Sequence, residues 1–287
     1  MKENNKKISL VGFIGAPNSG KSTLFNCLIK QKISSVTHKV HTTRENIRGI
    51  LTTDLTQLVF IDTPGFLQNP KFKLEKSITK KAFQEVANMD FICIILDAAK
   101  KSNLEDNILL NKDYYKSDAK IVLLLNKIDL LADKNKLLLF AAHAKKKGID
   151  DVFMISALKN KGITDLENYL IKNSPDGDWL YSENEVTDRS VKEIAQDITM
   201  EKLYMLLNKE IPYSLKVETE LWKEDEGMVE VHHVITVLKE NQKKIILGNQ
   251  GDKIKQIRLM AQTGIKKLLG NKRVELFLFI KVRNNWL

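Results

Sequence analysis

The sequence predicts an α/β domain, in which helices flank a mostly parallel sheet, followed by a second domain of the α+β class. In the first part of the chain, apolar runs at residues 8–14, 58–62 and 120–125 indicate buried strands, and each run ends in a polar turn. After a turn-rich segment at residues 173–178, the pattern changes to a helix, two alternating strands, further helices and a last strand. A chain of 287 residues is long enough for two hydrophobic cores. We therefore place the domains at residues 1–175 and 176–287.

Composition limits the classes of protein to which the chain can belong. A formal net charge of +10 suits a nucleic-acid partner. The two cysteines, Cys27 and Cys93, lie in apolar segments, which indicates small core residues in a reducing compartment. There is no secretory segment, and the longest apolar run, residues 91–96, is far too short to cross a bilayer. We expect a cytoplasmic, monomeric protein with at most peripheral contact with the inner face of the cell membrane.

The first predicted strand is followed by a phosphate-binding sequence, G-A-P-N-S-G-K-S at residues 15–22. It fits G-x-x-x-x-G-K-[ST] and precedes a helical pattern at residues 22–29, so backbone N–H groups and a helix N-terminus can face one anion. In such a loop Lys21 reaches the β- and γ-phosphates, and the Ser22 hydroxyl binds Mg²⁺. The alternative is an ordinary Gly/Pro turn, which the flanking strand and helix disfavour. The predicted nucleotide contacts of this loop are Gly15, Asn18, Ser19, Gly20, Lys21, Ser22 and Thr23.

Two later loops predict the identity of the base. The sequence N-K-I-D at residues 126–129 follows an apolar run, and loops at the C-terminal ends of parallel strands bind ligands in open α/β sheets. The Asp129 carboxylate can accept hydrogen bonds from the N1–H and 2-amino group of guanine, which adenine lacks, so the sequence favours GTP over ATP. After a short strand at residues 151–155, a backbone N–H of the next loop can meet guanine O6. The predicted base-side contacts are Asn126, Lys127, Asp129, Ser156, Ala157 and Leu158.

A further loop, D-T-P-G at residues 62–65, ends the apolar run at 58–62. Asp62 is placed to hold Mg²⁺ through water, and the N–H of Gly65 can contact the γ-phosphate and so sense its presence. Thr63 and Pro64 complete this group of nucleotide contacts. P-loop, a threonine pair at residues 42–43, D-T-P-G, N-K-x-D and Ser-Ala follow one another in the order that is typical of regulatory GTPases of the translation-factor class.

The second domain contains a nucleic-acid-binding pattern. Its predicted order of elements, α-β-β-α-α-β, matches the type II KH arrangement, and residues 248–251 form a G-x-x-G loop, which in KH domains binds about four nucleotides of single-stranded backbone. Residues 239–287 contain 12 Lys and Arg against 3 Asp and Glu, whereas residues 178–238 contain 6 against 14, so the basic part is the one with this loop. Ile245 and Ile246 are expected to pack in the core, with an apolar floor for bases as the alternative. The predicted RNA contacts are Gly248, Asn249, Gln250, Gly251, Lys253 and Lys255.

The P-loop string, H-T-T-R at residues 41–44 and D-T-P-G at 62–65 resemble the Era-type GTPases, bacterial proteins that join a GTPase domain to an RNA-binding KH domain. The resemblance implies a role in maturation of the 30S ribosomal subunit, with the KH domain bound to single-stranded RNA near the 3′ end of 16S rRNA. The alternative is a GTPase of another RNA-related or peripheral-membrane process that uses its C-terminal domain as an interaction module. An ATP-using P-loop enzyme would need no N-K-x-D.

The residues expected to act in hydrolysis are Lys21, Thr43 and Asn18, with GTP or GDP, Mg²⁺ and K⁺ as the cofactors. Many GTPases place a Gln after D-x-x-G to orient the attacking water, whereas Phe66 and Leu67 stand here, so intrinsic hydrolysis should be slow. Similar GTPases are thought to rely on a monovalent cation, and the resemblance assigns Asn18 to potassium. The alternative, that Asn18 suits the backbone angles of the loop, stays open. Ser22 and Thr43 are the expected Mg²⁺ ligands, with Thr42 as the alternative to Thr43.

Overall fold

A computed structural model describes residues 5–34, 47–63, 88–100, 108–110, 118–133, 135–207 and 215–283. In this part of the chain the structure divides into two compact units, of which the first ends at Asp188 and the second begins at Arg189.

The first unit is built on a six-stranded sheet with the strand order β2-β3-β1-β4-β5-β6. Strand β2 is antiparallel to β3, and all other neighbouring pairs are parallel, which confirms the predicted mostly parallel sheet. The strands are β1 (Lys7–Gly15), β2 (Ile47–Thr52), β3 (Thr56–Asp62), β4 (Phe91–Asp97), β5 (Lys120–Asn126) and β6 (Asp151–Met154). The α-helices described in this unit are α1 (Lys21–Ile29), α2 (Asn135–Lys146) and α3 (Ile163–Lys172).

Continuous apolar sequence explains the central strands. Every residue of β3 is buried, as are the first six residues of β4, which is typical of central strands in a mostly parallel sheet. Strand β2 has no counterpart among the strands predicted from the sequence. It packs on α1 at Gly49, where a Cβ atom would lie 2.6 Å from the ring of Phe25 and 2.7 Å from Ile29, so only glycine lets the strand approach so closely.

The boundary between the two units lies 13 residues (188 − 175) beyond the predicted one. The reason is that residues 176–188 are bound to the first sheet by hydrogen bonds. Gln57 on β3 is fully buried, and its Oε1 accepts from the backbone N–H groups of Leu180 and Tyr181, both at 3.0 Å. Its Nε2 donates to the Tyr181 carbonyl at 2.9 Å, and Ile50 N donates to the Val186 carbonyl at 2.9 Å. A turn-rich sequence therefore marks the end of α3 here, and the chain leaves the first unit only later.

The second unit has the element order α-β-β-α-α-β, as the sequence predicted for a type II KH domain. Its sheet has the order β7-β8-β9, in which β7 is antiparallel and β9 parallel to β8. The elements are α4 (Val191–Leu206), β7 (Leu215–Asp225), β8 (Met228–Val237), α5 (Glu240–Leu247), α6 (Asp252–Leu268) and β9 (Arg273–Val282).

Local sequence explains how this unit begins and how its helices pack. Helix α4 starts at a capping box, in which the Ser190 hydroxyl accepts from Glu193 N and the Glu193 carboxylate accepts from Ser190 N. Gly264 on α6 lies against Ile198 on α4, where a Cβ atom would approach Ile198 Cγ2 to 2.7 Å. The core between the helices and the sheet is formed by Leu203, Leu207, Leu215, Val217, Ile235, Val237, Ile246 and Ile257.

The two cysteines differ in environment. Cys93 on β4 is fully buried, as predicted, and burial raises the pKa of its thiol. Cys27 on α1 is only half-buried, and its thiol donates to Asn160 Oδ1 at 3.2 Å. Cys27 is therefore not the core residue that its apolar neighbours predicted, because it lies on the flank of α1.

Among the residues that the structure describes, no helix combines the length and the apolar character needed to cross a membrane.

Candidate functional site

The predicted nucleotide loops meet at the C-terminal edge of the first sheet. Strand β1 lies between β3 and β4, so the chain leaves β1 where successive strands lie on opposite sides of it, the position at which open α/β sheets bind ligands. The loops after β1, β3, β5 and β6 contain the predicted phosphate, magnesium and guanine residues. Side-chain hydrogen bonds connect these loops to one another, as described below.

The P-loop between β1 and α1 depends on two left-handed residues and two close approaches. Asn18 has φ 63° and Gly20 has φ 105°. A Cβ atom on Gly20 would lie 2.1 Å from Asn126 Nδ2, and one on Gly15 would lie 2.5 Å from the carbonyl oxygen of Ile95. Asparagine tolerates the left-handed region better than most residues. The backbone-angle interpretation of Asn18 therefore has a structural basis, and its assignment to potassium stays a prediction.

Lys21 lies at the first position of α1 with its ammonium group beneath the loop. Its Nζ donates to the carbonyl oxygens of Gly15 at 2.9 Å and Ala16 at 3.1 Å. Burial lowers the pKa of Lys21 to about 8, although the charge of Asp62 acts in the opposite direction. The side chain is thus held as a cation donor next to the backbone that would surround a phosphate.

Asp62, at the end of β3, is the buried acid of the site. The hydroxyls of Ser22 and Ser34 both donate to its Oδ2, at 2.7 Å and 2.8 Å. Its Oδ1 is buried and has no hydrogen-bond partner among the described residues. Burial raises the pKa of Asp62, whereas the positive charge of Lys21 and the two hydroxyl donors lower it.

The geometry around Asp62 fits a magnesium ion. Mg²⁺ prefers oxygen ligands, keeps several waters and is usually held by one or two carboxylates together with substrate phosphates. An unpaired buried carboxylate oxygen next to a serine hydroxyl supplies this kind of donor. Ser34 was not found by sequence reasoning, because a serine at the start of a polar segment has no distinguishing pattern.

Asn126 joins the P-loop to the loop after β6. Its Nδ2 donates to the Ser19 carbonyl at 2.8 Å, and its Oδ1 accepts from Ala157 N at 3.0 Å. The N–H of Ala157 thus positions Asn126. Ser156 is fully buried, and the side chain of Leu158 is 75% exposed.

Lys127 makes a second connection to the P-loop. Its Nζ donates to the Asn18 carbonyl at 2.6 Å and to Asp97 Oδ2 at 2.7 Å. Asp97, the last residue of β4, was not among the predicted site residues, although it ends a buried strand at the same edge of the sheet. Asp129 lies in a short 3₁₀ helix (Ile128–Leu130) and is exposed, so its carboxylate is accessible to a base.

The remaining predicted residues of this site fall into two groups. Thr63 is fully buried and its hydroxyl donates to the Phe13 carbonyl at 2.6 Å, which stabilises the start of its loop. Thr23 is half-buried on α1. The other predicted residues lie outside the described part of the chain, namely Thr42, Thr43, Pro64, Gly65, Phe66 and Leu67.

In the second unit, the G-x-x-G loop connects α5 to α6 and uses glycine conformations at both ends. Gly248 has φ 74° and ψ −173°, and Gly251 has φ 83°. A Cβ atom on Gly248 would lie 2.6 Å from the Cβ of Lys253, whereas one on Gly251 would meet nothing within 4 Å. Between the two glycines, Asn249 and Gln250 are exposed. The loop therefore presents backbone and polar side chains to solvent.

The side chains that flank this loop differ in exposure. Lys255 on α6 is exposed, and Lys253 is half-buried. Ile246 is fully buried, whereas Ile245 is 41% exposed. The prediction that both isoleucines pack in the core was wrong for Ile245, because successive residues of a helix point about 100° apart and only one of the two can face the core.

Comparison with known proteins agrees with both units. A family model described as 50S ribosome-binding GTPase matches residues 10–127, and one described as KH domain matches residues 210–287. The chain is 42% identical to GTPase Era of Mesorhizobium japonicum over 279 residues, which covers 96% of this chain and 88% of that protein. It is 39% identical to GTPase Era of Ehrlichia canis over 287 residues, with coverage of 98% and 95%.

Two solved structures are similar over nearly the whole chain, and each comparison covers 98% of this chain and 95% of the other. One is a single-residue variant of Aquifex aeolicus Era bound to GDP·AlF₄⁻, with a TM-score of 0.86 and 31% identity. The other is Era in complex with MgGDPNP and nucleotides 1506–1542 of 16S ribosomal RNA, with a TM-score of 0.85 and 30% identity.

Proposed function

This chain belongs to the Era family of GTPases, and from that premise we propose that it hydrolyses GTP at the P-loop edge of its first unit and binds 16S rRNA through its second. The observation that supports the GTP site most strongly is the position of Asn126, which bonds to the P-loop on one side and to the loop after β6 on the other. Hydrogen bonds thereby join motifs that lie more than 100 residues apart in the sequence. An isolated strand-to-helix turn would not produce this arrangement.

The residues of the proposed site bind different parts of the nucleotide. Lys21 donates to the phosphates, and the P-loop amides surround them. Ser22 and Thr43 would ligate Mg²⁺ and Asp62 would hold it through water; when bound, the ion neutralises charge on the phosphate oxygens. Asp129 accepts hydrogen bonds from guanine, while Asn126 and Lys127 hold the loops at a fixed distance from each other. Thr43 and Asn18 complete the proposed catalytic set, with Thr42 as the alternative to Thr43.

Calorimetric titration with GDP and with ADP tests the base specificity. We expect micromolar or tighter binding of GDP and no binding of ADP. Asp129→Asn should lose GDP and gain xanthosine diphosphate, because the amide nitrogen can donate to the 2-oxo group of xanthine while the amide oxygen still accepts from N1–H. Equal affinity for GDP and ADP in the unmodified protein would refute the GTP assignment.

Potassium activation through Asn18 is the finer part of the proposal. A cation beside the phosphates would supply the positive charge that an arginine finger supplies elsewhere. Because Asn18 has a positive φ, alanine would also strain the loop, so Asn18→Gly is the better variant. We expect hydrolysis to be faster in potassium than in sodium and Asn18→Gly to abolish the difference. Equal rates in the two salts would exclude the idea.

The RNA-binding part of the proposal is supported by the G-x-x-G geometry and by the 16S rRNA fragment in one similar structure. The test is binding of an oligonucleotide that corresponds to the 3′ end of 16S rRNA, measured over a range of salt concentrations. Gly251→Asp and Lys253→Glu should weaken binding, and Lys253→Glu should also reduce the slope of log affinity against log salt, by about 0.7 for one lost phosphate contact.

Lys223→Glu is the matched control for charge, since Lys223 is exposed on the β7–β8 hairpin and pairs with Asp225. If all three variants bind as the unmodified protein does, the second unit is an interaction module for another partner. Contact with the 30S subunit, cytoplasmic location, peripheral membrane contact and the monomeric state stay predictions from the sequence and the resemblance.

A further inference from the structure

Ser34 is held in place by the side chain of Asn26 on α1. Asn26 Oδ1 accepts from the backbone N–H groups of Ile33 at 2.9 Å and Ser34 at 2.8 Å, and its Nδ2 donates to the Ser34 carbonyl at 2.7 Å. Three hydrogen bonds from one amide fix both the position and the direction of this short backbone segment. The Asn26 side chain thus provides the hydrogen-bond partners that a helix or a sheet would otherwise provide for these backbone groups.

The fixed backbone directs the Ser34 hydroxyl at the carboxylate of Asp62. Ser34 is 1% exposed, and its Oγ donates to Asp62 Oδ2 at 2.8 Å. The hydroxyl of Ser22 donates to the same oxygen at 2.7 Å. A carboxylate oxygen accepts about two hydrogen bonds in good geometry, so Oδ2 is saturated.

This arrangement leaves one defined oxygen of Asp62 for a metal-bound water. Oδ1 is buried and unpaired among the described residues, in a protein interior where an unpaired carboxylate oxygen is unfavourable. The two donors on one oxygen fix the plane of the carboxylate, so the other oxygen points in one defined direction. Outer hydrogen bonds of this kind orient the groups that hold a metal, and losing one typically lowers metal affinity by roughly 10- to 100-fold.

We propose that Ser34, held by Asn26, is a positioning residue of the magnesium site: it orients Asp62 so that Oδ1 faces a water bound to the ion. The inference rests on the proposed function, because it takes Mg²⁺ to bind beside Ser22 and Asp62. Ser34 itself touches neither the nucleotide nor the ion in this proposal. Its effect passes through the carboxylate.

The test measures release of a fluorescent GDP analogue from the full chain over a range of buffered Mg²⁺ concentrations, which requires no hydrolysis. Ser34→Ala should move the Mg²⁺ concentration for half-maximal retention upward by about 10-fold. Ser34→Thr keeps the hydroxyl and should restore most of the shift. Ser9→Ala is the matched control, since Ser9 is also fully buried in the first unit and its hydroxyl donates to Ser174 Oγ at 2.8 Å.

Asn26→Ala tests whether Asn26 acts on the magnesium site by positioning Ser34. It should also raise the Mg²⁺ concentration for half-maximal retention. Combining it with Ser34→Ala should add little, because both changes remove the same hydrogen bond, the one from Ser34 to Asp62. A Ser34→Ala midpoint equal to that of the unmodified protein, or a similar shift in Ser9→Ala, would overturn the inference. If retention in the unmodified protein does not depend on Mg²⁺ at all, the proposed magnesium site itself is wrong, which is a different outcome.

Discussion

Acid should destabilise the second unit through His233. This residue of β8 is fully buried, its Nδ1 lies 2.9 Å from the Thr199 hydroxyl, and its Nε2 has no hydrogen-bond partner among the described residues. Thr199 donates its own hydrogen to the Ala195 carbonyl at 3.2 Å, so the His233 hydrogen is on Nδ1 and the second proton would have to enter at Nε2. Burial lowers the pKa of His233 from 6.5 to about 4.

The direction of the pH effect on stability follows from the two pKa values of His233, 6.5 in the unfolded chain and about 4 in the folded protein. Below pH 6.5 the unfolded chain binds a proton at His233 and the folded chain does not, so stability falls as the pH falls from 6.5 towards 4. Between about pH 7.5 and about pH 5 the loss is about 2 kcal/mol, and it approaches about 3 kcal/mol at full protonation, at roughly 1.4 kcal/mol for each unit of difference. Near pH 7.5 His233 is neutral in both the folded and the unfolded chain, so no stability is lost through its protonation.

Hydrogen exchange of the full chain measures this effect, because it resolves the two units that a global unfolding curve would mix. After correction for the intrinsic exchange rate at each pH, protection of β8 and β9 should be about 30-fold lower at about pH 5 than at about pH 7.5, the equivalent of about 2 kcal/mol. His233→Gln should remove most of this dependence, and His232→Gln, a change at the half-buried neighbour, should retain it. Unchanged dependence in His233→Gln would refute the reasoning.

Three further predictions concern single residues. Lys21 is half protonated near pH 8 before the nucleotide binds, and phosphate should hold it fully charged, so GDP binding at this pH should take up about half a proton. Calorimetry in buffers of different ionisation enthalpy measures this uptake, and none would contradict the buried environment of Lys21. Gly248→Ala should weaken RNA binding more than Gly251→Ala. A Cβ atom at position 248 would collide with Lys253, in a backbone conformation essentially restricted to glycine, whereas one at position 251 would enter open space. Equal losses of affinity in the two variants would contradict this prediction. Ser190→Ala should lower the free energy of unfolding of the second unit by about 1 kcal/mol, as seen by hydrogen exchange of α4, because it removes the capping box.

The nucleotide loops could be predicted from sequence because their chemistry is local. A buried parallel strand has a continuous apolar sequence, so the residues that end β1, β3 and β5 can be assigned to one edge of the sheet from the sequence alone. The G-x-x-G loop could be predicted for the same reason, since its glycines and the adjacent lysines are close together in the chain. In these cases the sequence contains both the element and its functional residue.

Residues whose role depends on a distant partner could not be predicted in this way. Ser34, Asn26 and Asp97 are polar residues without a repeating pattern, and each acquires its role from residues brought close by folding. The prediction for Ile245 was wrong for another reason, since apolar character alone does not determine which of two adjacent helical positions faces the core.

The buried side chain of Gln57 decides where the protein can be divided into fragments. A truncated first unit that ended at residue 175 would lack Leu180 and Tyr181, and with them three hydrogen-bond partners of a fully buried amide. Each buried polar group without a partner costs about 1–3 kcal/mol, against a total stability of roughly 5–15 kcal/mol for a typical domain. Expression of this unit on its own therefore calls for a terminus after Asp188, where the natural partners of Gln57 are still part of the polypeptide.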